Sequence, residues 1–169
     1  MKIKAVHSIK GVSKSLNALL IDSVANGASI GFIAPLSLQS AHDYWQAVDA
    51  DLATPYRRLY LAFDGEDVIG SVPLSLCAKA NGSHRGEVEK LMVHSDYQGK
   101  GIAKKLMNSL ETDAQVLGLA LLVLDTRLGD TASHLYRKLS YIEAGTIPGF
   151  AKSSTGEFDA TVYFYKQVV

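Results

Sequence analysis

Apolar and polar positions change period several times along the chain, and each change marks an element. Lys2 to His7 alternates with the two-residue period of a strand. Leu16, Leu19, Leu20 and Val24 then recur at helical spacing, with Ser13 as the expected N-cap. Gly27-Ala28-Ser29-Ile30-Gly31-Phe32-Ile33-Ala34-Pro35 breaks this helix, so 26–36 is predicted as a loop. Ser37 or Ser40 caps a second helix through Tyr44, Trp45 and Val48. Arg58 to Phe63 and Val68 to Ala78 read as strands joined at Asp64-Gly65-Glu66-Asp67. Asn81-Gly82 marks a further hairpin into a strand from Glu87 to Val93, giving three antiparallel strands.

In the second half, Ala103, Leu106, Met107, Leu110, Ala114 and Leu117 fall on one face of a helix over 101–117, closed by Gly118 at C′. Leu119-Ala120-Leu121-Leu122-Val123-Leu124 is apolar without alternation, as in a strand covered on both faces and paired in parallel through a crossover. Residues 88–125 therefore form a βαβ unit. A helix over 131–139 and strands over 141–147 and 158–166 complete the order β-α-α-β-β-β-α-β-α-β-β. The fold class is α/β (α+β): a mixed, mostly antiparallel sheet of six to seven strands flanked by helices.

Composition narrows the partners. At 169 residues and 47% hydrophobic content the chain suits one well-buried domain, 1–169. Lys plus Arg and Asp plus Glu balance at 17 each, so no long-range field favours nucleic acid or an anionic membrane. Neither a signal-peptide stretch nor an apolar run of about 20 residues is present, and a cytoplasmic protein is expected. The single cysteine, Cys77, excludes an intramolecular disulfide and reads as a core residue. Five histidines show no ligand spacing, so no metal site is expected.

The chemistry concentrates where the Leu91-Met92-Val93 strand meets Gln98-Gly99-Lys100-Gly101-Ile102-Ala103-Lys104. A glycine turn opening onto a helix presents successive unpaired N–H groups and the positive end of the helix dipole, as a pyrophosphate requires. Glycine at 99 and 101 lets the backbone approach the phosphates without a Cβ in the way. Lys100 and Lys104 add full charges. A dinucleotide site is disfavoured because Lys104 stands where a third glycine belongs, and a Walker loop because Lys100 is not followed by Ser or Thr.

Gln98 to Ala103 resembles the Gln/Arg-x-x-Gly-x-Gly/Ala signature of the GNAT superfamily of acetyl-CoA-dependent N-acetyltransferases. Ala132-Ser133-His134-Leu135-Tyr136-Arg137-Lys138-Leu139-Ser140-Tyr141 is similar to that family's Ala-x-x-x-Tyr-x-Lys-x-Gly-Phe helix. The resemblance implies acetyl-CoA as co-substrate, its pantetheine paired with the backbone of Leu91, Met92 and Val93, and a strand N–H facing the thioester oxygen. It also implies Tyr136 as general acid, and a homodimer through the C-terminal strands. The family's pantetheine-contacting Asn is Gly129 here, so Ser133 or the backbone of Asp130 is the expected substitute. Gly27 to Phe32, Tyr44-Trp45, Leu124 to Thr126, Ile147 to Phe150 and Val162 to Lys166 together look like the tabtoxin-resistance acetyltransferases, which implies a small amine or amino-acid-like acceptor.

A phenol near pKa 10 can protonate a departing thiolate; packing beside Leu135 and Leu139 is the other role open to Tyr136. Deprotonating the amine calls for a carboxylate. Glu87 is the expected base, with Asp125 as substrate anchor or second carboxylate and Glu89 close behind. The alternative is solvated charges at a strand end, Glu89 balancing Lys90 or Arg85. Phe32, Tyr44, Trp45, Phe150, Tyr163 and Tyr165 are placed on the acceptor side or in the core, and the loop from Gly149 to Glu157 could cover that side. An acetyl-CoA-binding sensor without catalysis is the rival function.

Overall fold

The alternation in Leu59-Tyr60-Leu61-Ala62 sorts the core into two layers. All four residues are buried, but Leu59 and Leu61 join one apolar cluster and Tyr60 and Ala62 the other. A computed structural model describes residues 1–169. In chain order its elements are β1 (Lys2–Val6), α1 (Ser13–Ala25), α2 (Leu38–Leu52), β2 (Arg57–Asp64), β3 (Asp67–Leu76), β4 (Arg85–Val88), β5 (Met92–Val93), α3 (Ile102–Val116), β6 (Leu121–Arg127), α4 (Ala132–Lys138), β7 (Ile142–Lys152) and β8 (Phe158–Gln167). The strands form one sheet in the order β1-β2-β3-β4-β6-β8-β7, with β5 beside β3. Only β4 and β6 pair in parallel, Arg85 to Glu87 against Leu121 to Val123.

One layer packs α1 and α2 on the sheet through Leu16, Leu20, Trp45 and Val48. Trp45 is fully buried and donates its indole N–H to the Leu16 carbonyl, so this ring belongs to the core and not to an acceptor wall. The other layer packs α3 through Ile102, Leu106, Met107 and Leu110. A Cβ on Gly70 of β3 would meet Leu106 Cδ1 at 3.1 Å and Ile102 Cγ2 at 3.3 Å, so glycine there seats α3 directly on the sheet. No helix is long and apolar enough to cross a membrane.

The patterned elements form with five corrections, four of them local. Val12, not Ser13, is the N-cap of α1; the Ser13 hydroxyl donates back to the Ile9 carbonyl at 3.3 Å. Asn81-Gly82 does not make a two-residue hairpin but part of a 3-10 turn at Ala80–Gly82 within a longer connection. Only one face of β6 is fully covered: Leu122 and Leu124 are buried, while Leu121, Val123 and Asp125 are partly open. Leu117 caps α3 and is exposed. Gly118 sits at C′ with φ +73°, as the pattern required.

The strand expected from Glu87 to Val93 is broken, which raises the strand count to eight. The Glu89 N–H donates to the Pro73 carbonyl and Met92 pairs with Ser71, so Val72 is opposed by both Lys90 and Leu91. That is a β-bulge, and Lys90 takes up its strain at φ +40°.

Candidate active site

The bulge opens the cleft. Pairing between β4 and β6 ends at Glu87 and Val123, whereas β6 runs on to Arg127 beside β8. Beyond the bulge, β5 stays with β3 and leaves β6. A wedge opens between the two strands, enlarging into a cleft of about 980 Å³. The amides of Lys90 and Leu91 donate to no protein acceptor. In the β3·β5 ladder Met92 and His94 face β3, so alternation turns the polar backbone groups of Val93 toward the wedge. The Val93 carbonyl accepts from Gln98 Nε2 at 3.2 Å, which ties the strand to the turn that follows.

That turn matches its sequence reading. Gly99 and Gly101 have φ of +75° and +76°, and Gly101 is the N-cap of α3. Having no side chain, Gly101 leaves the helix donors uncapped. The consecutive amides of Gly99, Lys100, Gly101, Ile102, Ala103 and Lys104 therefore have no acceptor within the protein. A Cβ at 99 or 101 would meet nothing within 4 Å, so glycine serves the backbone conformation there and the space above it stays open. This array fits a diphosphate. Asp22 of α1 holds the approach to the turn, accepting from the Ser95 N–H at 2.8 Å and the Ser95 hydroxyl at 2.7 Å.

Leu91, Met92, Val93, Gln98, Gly99, Gly101, Ile102, Ala103 and Lys104 all line the cleft, as do Glu87, Asp125 and Tyr136. Two expected residues do not. The Lys100 ammonium turns back to the Asp96 carbonyl at 3.0 Å and lies 4.7 Å from the Tyr97 ring centroid. Ser133 is buried with its hydroxyl unpartnered, outside the lining; Asp130 does line it.

Tyr136 lies in α4 with its ring packed among Tyr141 and Phe164, centroids 5.8 and 5.9 Å away. Burial pushes the phenol well above its ordinary pKa, and the charges of Asp125 and Asp130 push it further. It stays protonated at any physiological pH, and no protein acceptor takes its hydrogen. Glu87 is exposed to the cleft. Its pKa is raised by partial desolvation first, then by Glu89 and Asp125, against the opposing pull of Lys90 and Arg57. Asp125 accepts from the Thr161 hydroxyl at 2.7 Å.

Glu89 is held by a partner that sequence spacing did not suggest. Arg57 donates to Glu89 Oε2 at 2.8 Å and also to the Ser75 hydroxyl, which donates to Glu89 Oε1 at 2.6 Å. The expected balance with Lys90 or Arg85 does not form; with both carboxylate oxygens engaged, Glu89 acts on its neighbour Glu87 through its charge. Arg127 is a second residue that the sequence reading missed. Its guanidinium binds Asp130 at 2.8 Å and the Gly27 carbonyl at 3.1 Å, and reaches Asp159 at 3.7 Å. Ending the strand two positions after Asp125 was its only signal.

At the end of the cleft nearest the α1–α2 loop and the β7–β8 hairpin, only Phe150 of the expected aromatic rings lines the cleft. Phe150 packs edge-on to Tyr163 at 6.1 Å, and Phe32 to Tyr44 at 5.5 Å. Burial pushes Tyr44 up to about 12, with Arg57 opposing and Glu89 adding to the shift. The β7–β8 hairpin bends over this end, Ser154 Oγ accepting from the Ala34 N–H at 2.9 Å.

An array of unpaired main-chain amides at a glycine turn, a split βαβ unit and a buried tyrosine in the same cleft are the arrangement expected of an acyl-carrier-dependent transferase. The chain belongs to the acetyltransferase (GNAT) family, whose model matches residues 26–141, and is an N-acyltransferase that uses acetyl-CoA as co-substrate. It is 24% identical over 145 residues to N-alpha-acetyltransferase 30 of Schizosaccharomyces pombe (strain 972 / ATCC 24843), covering 78% of this chain and 97% of that one. The fold is similar to ribosomal-protein-alanine N-acetyltransferase from Brucella melitensis (TM-score 0.80, 20% identity, 99% of each chain). It is also similar to yncA from Salmonella typhimurium, solved with its cofactor acetyl-CoA (TM-score 0.80, 16% identity, 100% of this chain and 95% of that one).

Proposed function

We propose that residues 1–169 act as one catalytic domain that moves the acetyl group of acetyl-CoA to the primary amine of a small molecule by direct attack, with Tyr136 as general acid. The observation that carries this reading is the meeting of Tyr136, Glu87 and Asp125 in one cleft with the unpaired amides of the glycine turn. Bound acetyl-CoA supplies the activated thioester. The amides of 99–104 hold its diphosphate, and the open edge at Leu91 and Val93 pairs with the pantetheine arm. The Val93 N–H is the donor available to the thioester oxygen as negative charge develops there. Glu87, directly or through a water, takes the proton that the attacking nitrogen loses. Tyr136 gives its proton to the sulfur as the carbon–sulfur bond breaks, and regains one from solvent. Asp125, fixed by Thr161, anchors the acceptor.

The small acceptor is supported by the Ser154–Ala34 contact, in which the hairpin's serine hydroxyl meets the backbone of the α1–α2 loop at the acceptor end. Likeness to the tabtoxin-resistance acetyltransferases supports the same class. A protein N-terminus is the second reading, favoured by the name of the fission-yeast relative. The test is thiol release from acetyl-CoA with small primary amines and with peptides bearing free N-termini. Turnover of small amines is expected; turnover of peptides alone overturns the reading. A homodimer is supported by the free edge of β7, beside which Ile147 and Phe158 are exposed.

A further inference from the structure

Lys90 is a cation on the cleft lining that forms no ion pair within the protein and whose ammonium donates no hydrogen bond. Two guanidinium groups nearby are engaged, Arg57 behind the cleft by Glu89 and Arg127 on its lining by Asp130 and Asp159. Lys90 Nζ lies 5.6 Å from the Tyr44 ring centroid and 6.0 Å from that of Phe32. Two aromatic faces hold a cation without cancelling its charge.

The surroundings leave that ammonium accessible. A Cβ on Gly31 would stand only 3.5 Å from Lys90 Nζ, so the glycine keeps one side of it uncovered. The amides of Ser29, Ile30, Gly31, Phe32 and Ile33 have no acceptor within the protein, and the first three of these residues line the cleft. The bulge at φ +40° aims Lys90 here, away from the regular pleat of its strand. A half-buried ammonium beside unpaired backbone donors is a site for an anionic group.

Glu87 and Asp125 lie in the same cleft and act electrostatically on one another; Lys90 is close enough to pull against them at Glu87. Positive and negative ends therefore share one acceptor chamber. We infer that the acceptor is an amine that also carries a carboxylate, its ammonium meeting Glu87 and Asp125 and its carboxylate meeting Lys90. An α-amino acid is the simplest such molecule. This rests on the small-amine reading above and adds Lys90 as the residue that sets specificity within it.

The experiment compares kcat/KM for free amino acids, their amides and the corresponding decarboxylated amines, in the unaltered protein and in Lys90→Met and Lys90→Arg. The unaltered protein is expected to prefer the acids by about 10-fold or more, the scale of one charged hydrogen bond. Lys90→Met brings the acid-to-amide ratio to about one, and Lys90→Arg restores most of it. Using the ratio cancels any effect of Lys90 on Glu87 or on folding. A ratio near one in the unaltered protein, or a preference that survives in Lys90→Met, overturns this inference and leaves the small-amine reading standing. Turnover confined to peptide N-termini overturns both.

Discussion

The two halves of the cleft are built from different materials. The cofactor half is main chain: six consecutive amides, two glycines with positive φ and a bulged strand whose edge is open. The proposed acceptor half carries its charge on side chains, Glu87, Lys90, Asp125 and Arg127, the last three held by partners from distant parts of the sequence. Backbone recognition tolerates most side chains around it and constrains glycine. Side-chain recognition can change partner by single substitutions, so under the proposed function the acceptor half sets specificity.

Substitutions at the boundary between the halves should have the largest effect. Tyr136→Phe keeps the buried ring and removes only the proton donor. We expect kcat to fall by about 100-fold or more, with acetyl-CoA affinity unchanged by calorimetry. An unchanged kcat at saturating acetyl-CoA would leave Tyr136 with packing alone. Glu87→Gln should cost on the order of 100-fold in kcat/KM and alter its pH profile. With Glu87 as the proposed base, its raised pKa places the expected rise in rate above the usual carboxylate range. The glutamine variant loses that ascending limb; its persistence would assign the base elsewhere.

Within the cofactor half, Gly101→Val forces a β-branched residue into φ +76°. Acetyl-CoA affinity should fall by about 10-fold or more while acceptor preference is retained, because the backbone strain is of order 1–3 kcal/mol. Behind the acceptor half, Arg57→Met leaves Glu89 without its cationic partner. Unfolding stability should drop by about 1–3 kcal/mol, and the Glu87 limb should move to higher pH as the positive charge opposing its protonation disappears. The smallest effect is expected for Ser154→Ala, which removes one contact between the hairpin and the α1–α2 loop. A two- to threefold rise in acceptor KM, roughly half a kcal/mol, checks that this contact shapes the acceptor end.

The same division explains what could be read from the sequence. The glycine turn, the helix after it and the crossover were legible because local pattern dictates them: Gly99 and Gly101 adopt the conformations their residue type permits, and α3 buries the face its periodicity marked. The break at Lys90 was not legible, since nothing local distinguishes a bulge from a continuing strand; it follows from the pairing of Pro73 and Ser71 across the sheet. Motif and strand position sufficed to bring Tyr136 and Asp125 to the lining of the cleft. Arg57 was not, because it reaches Glu89 across 32 residues of sequence through neighbouring strands. Lys100 was read as a phosphate ligand from proximity, but four residues of backbone suffice to turn its ammonium back onto Asp96.

The account depends on the unpaired amides of the turn and of the bulged strand gripping acetyl-CoA. Amide hydrogen exchange with and without acetyl-CoA measures this at each position. Selective slowing at residues 99–104 and at Leu91 and Val93 is predicted. Saturating acetyl-CoA that leaves exchange at those amides unchanged would contradict it.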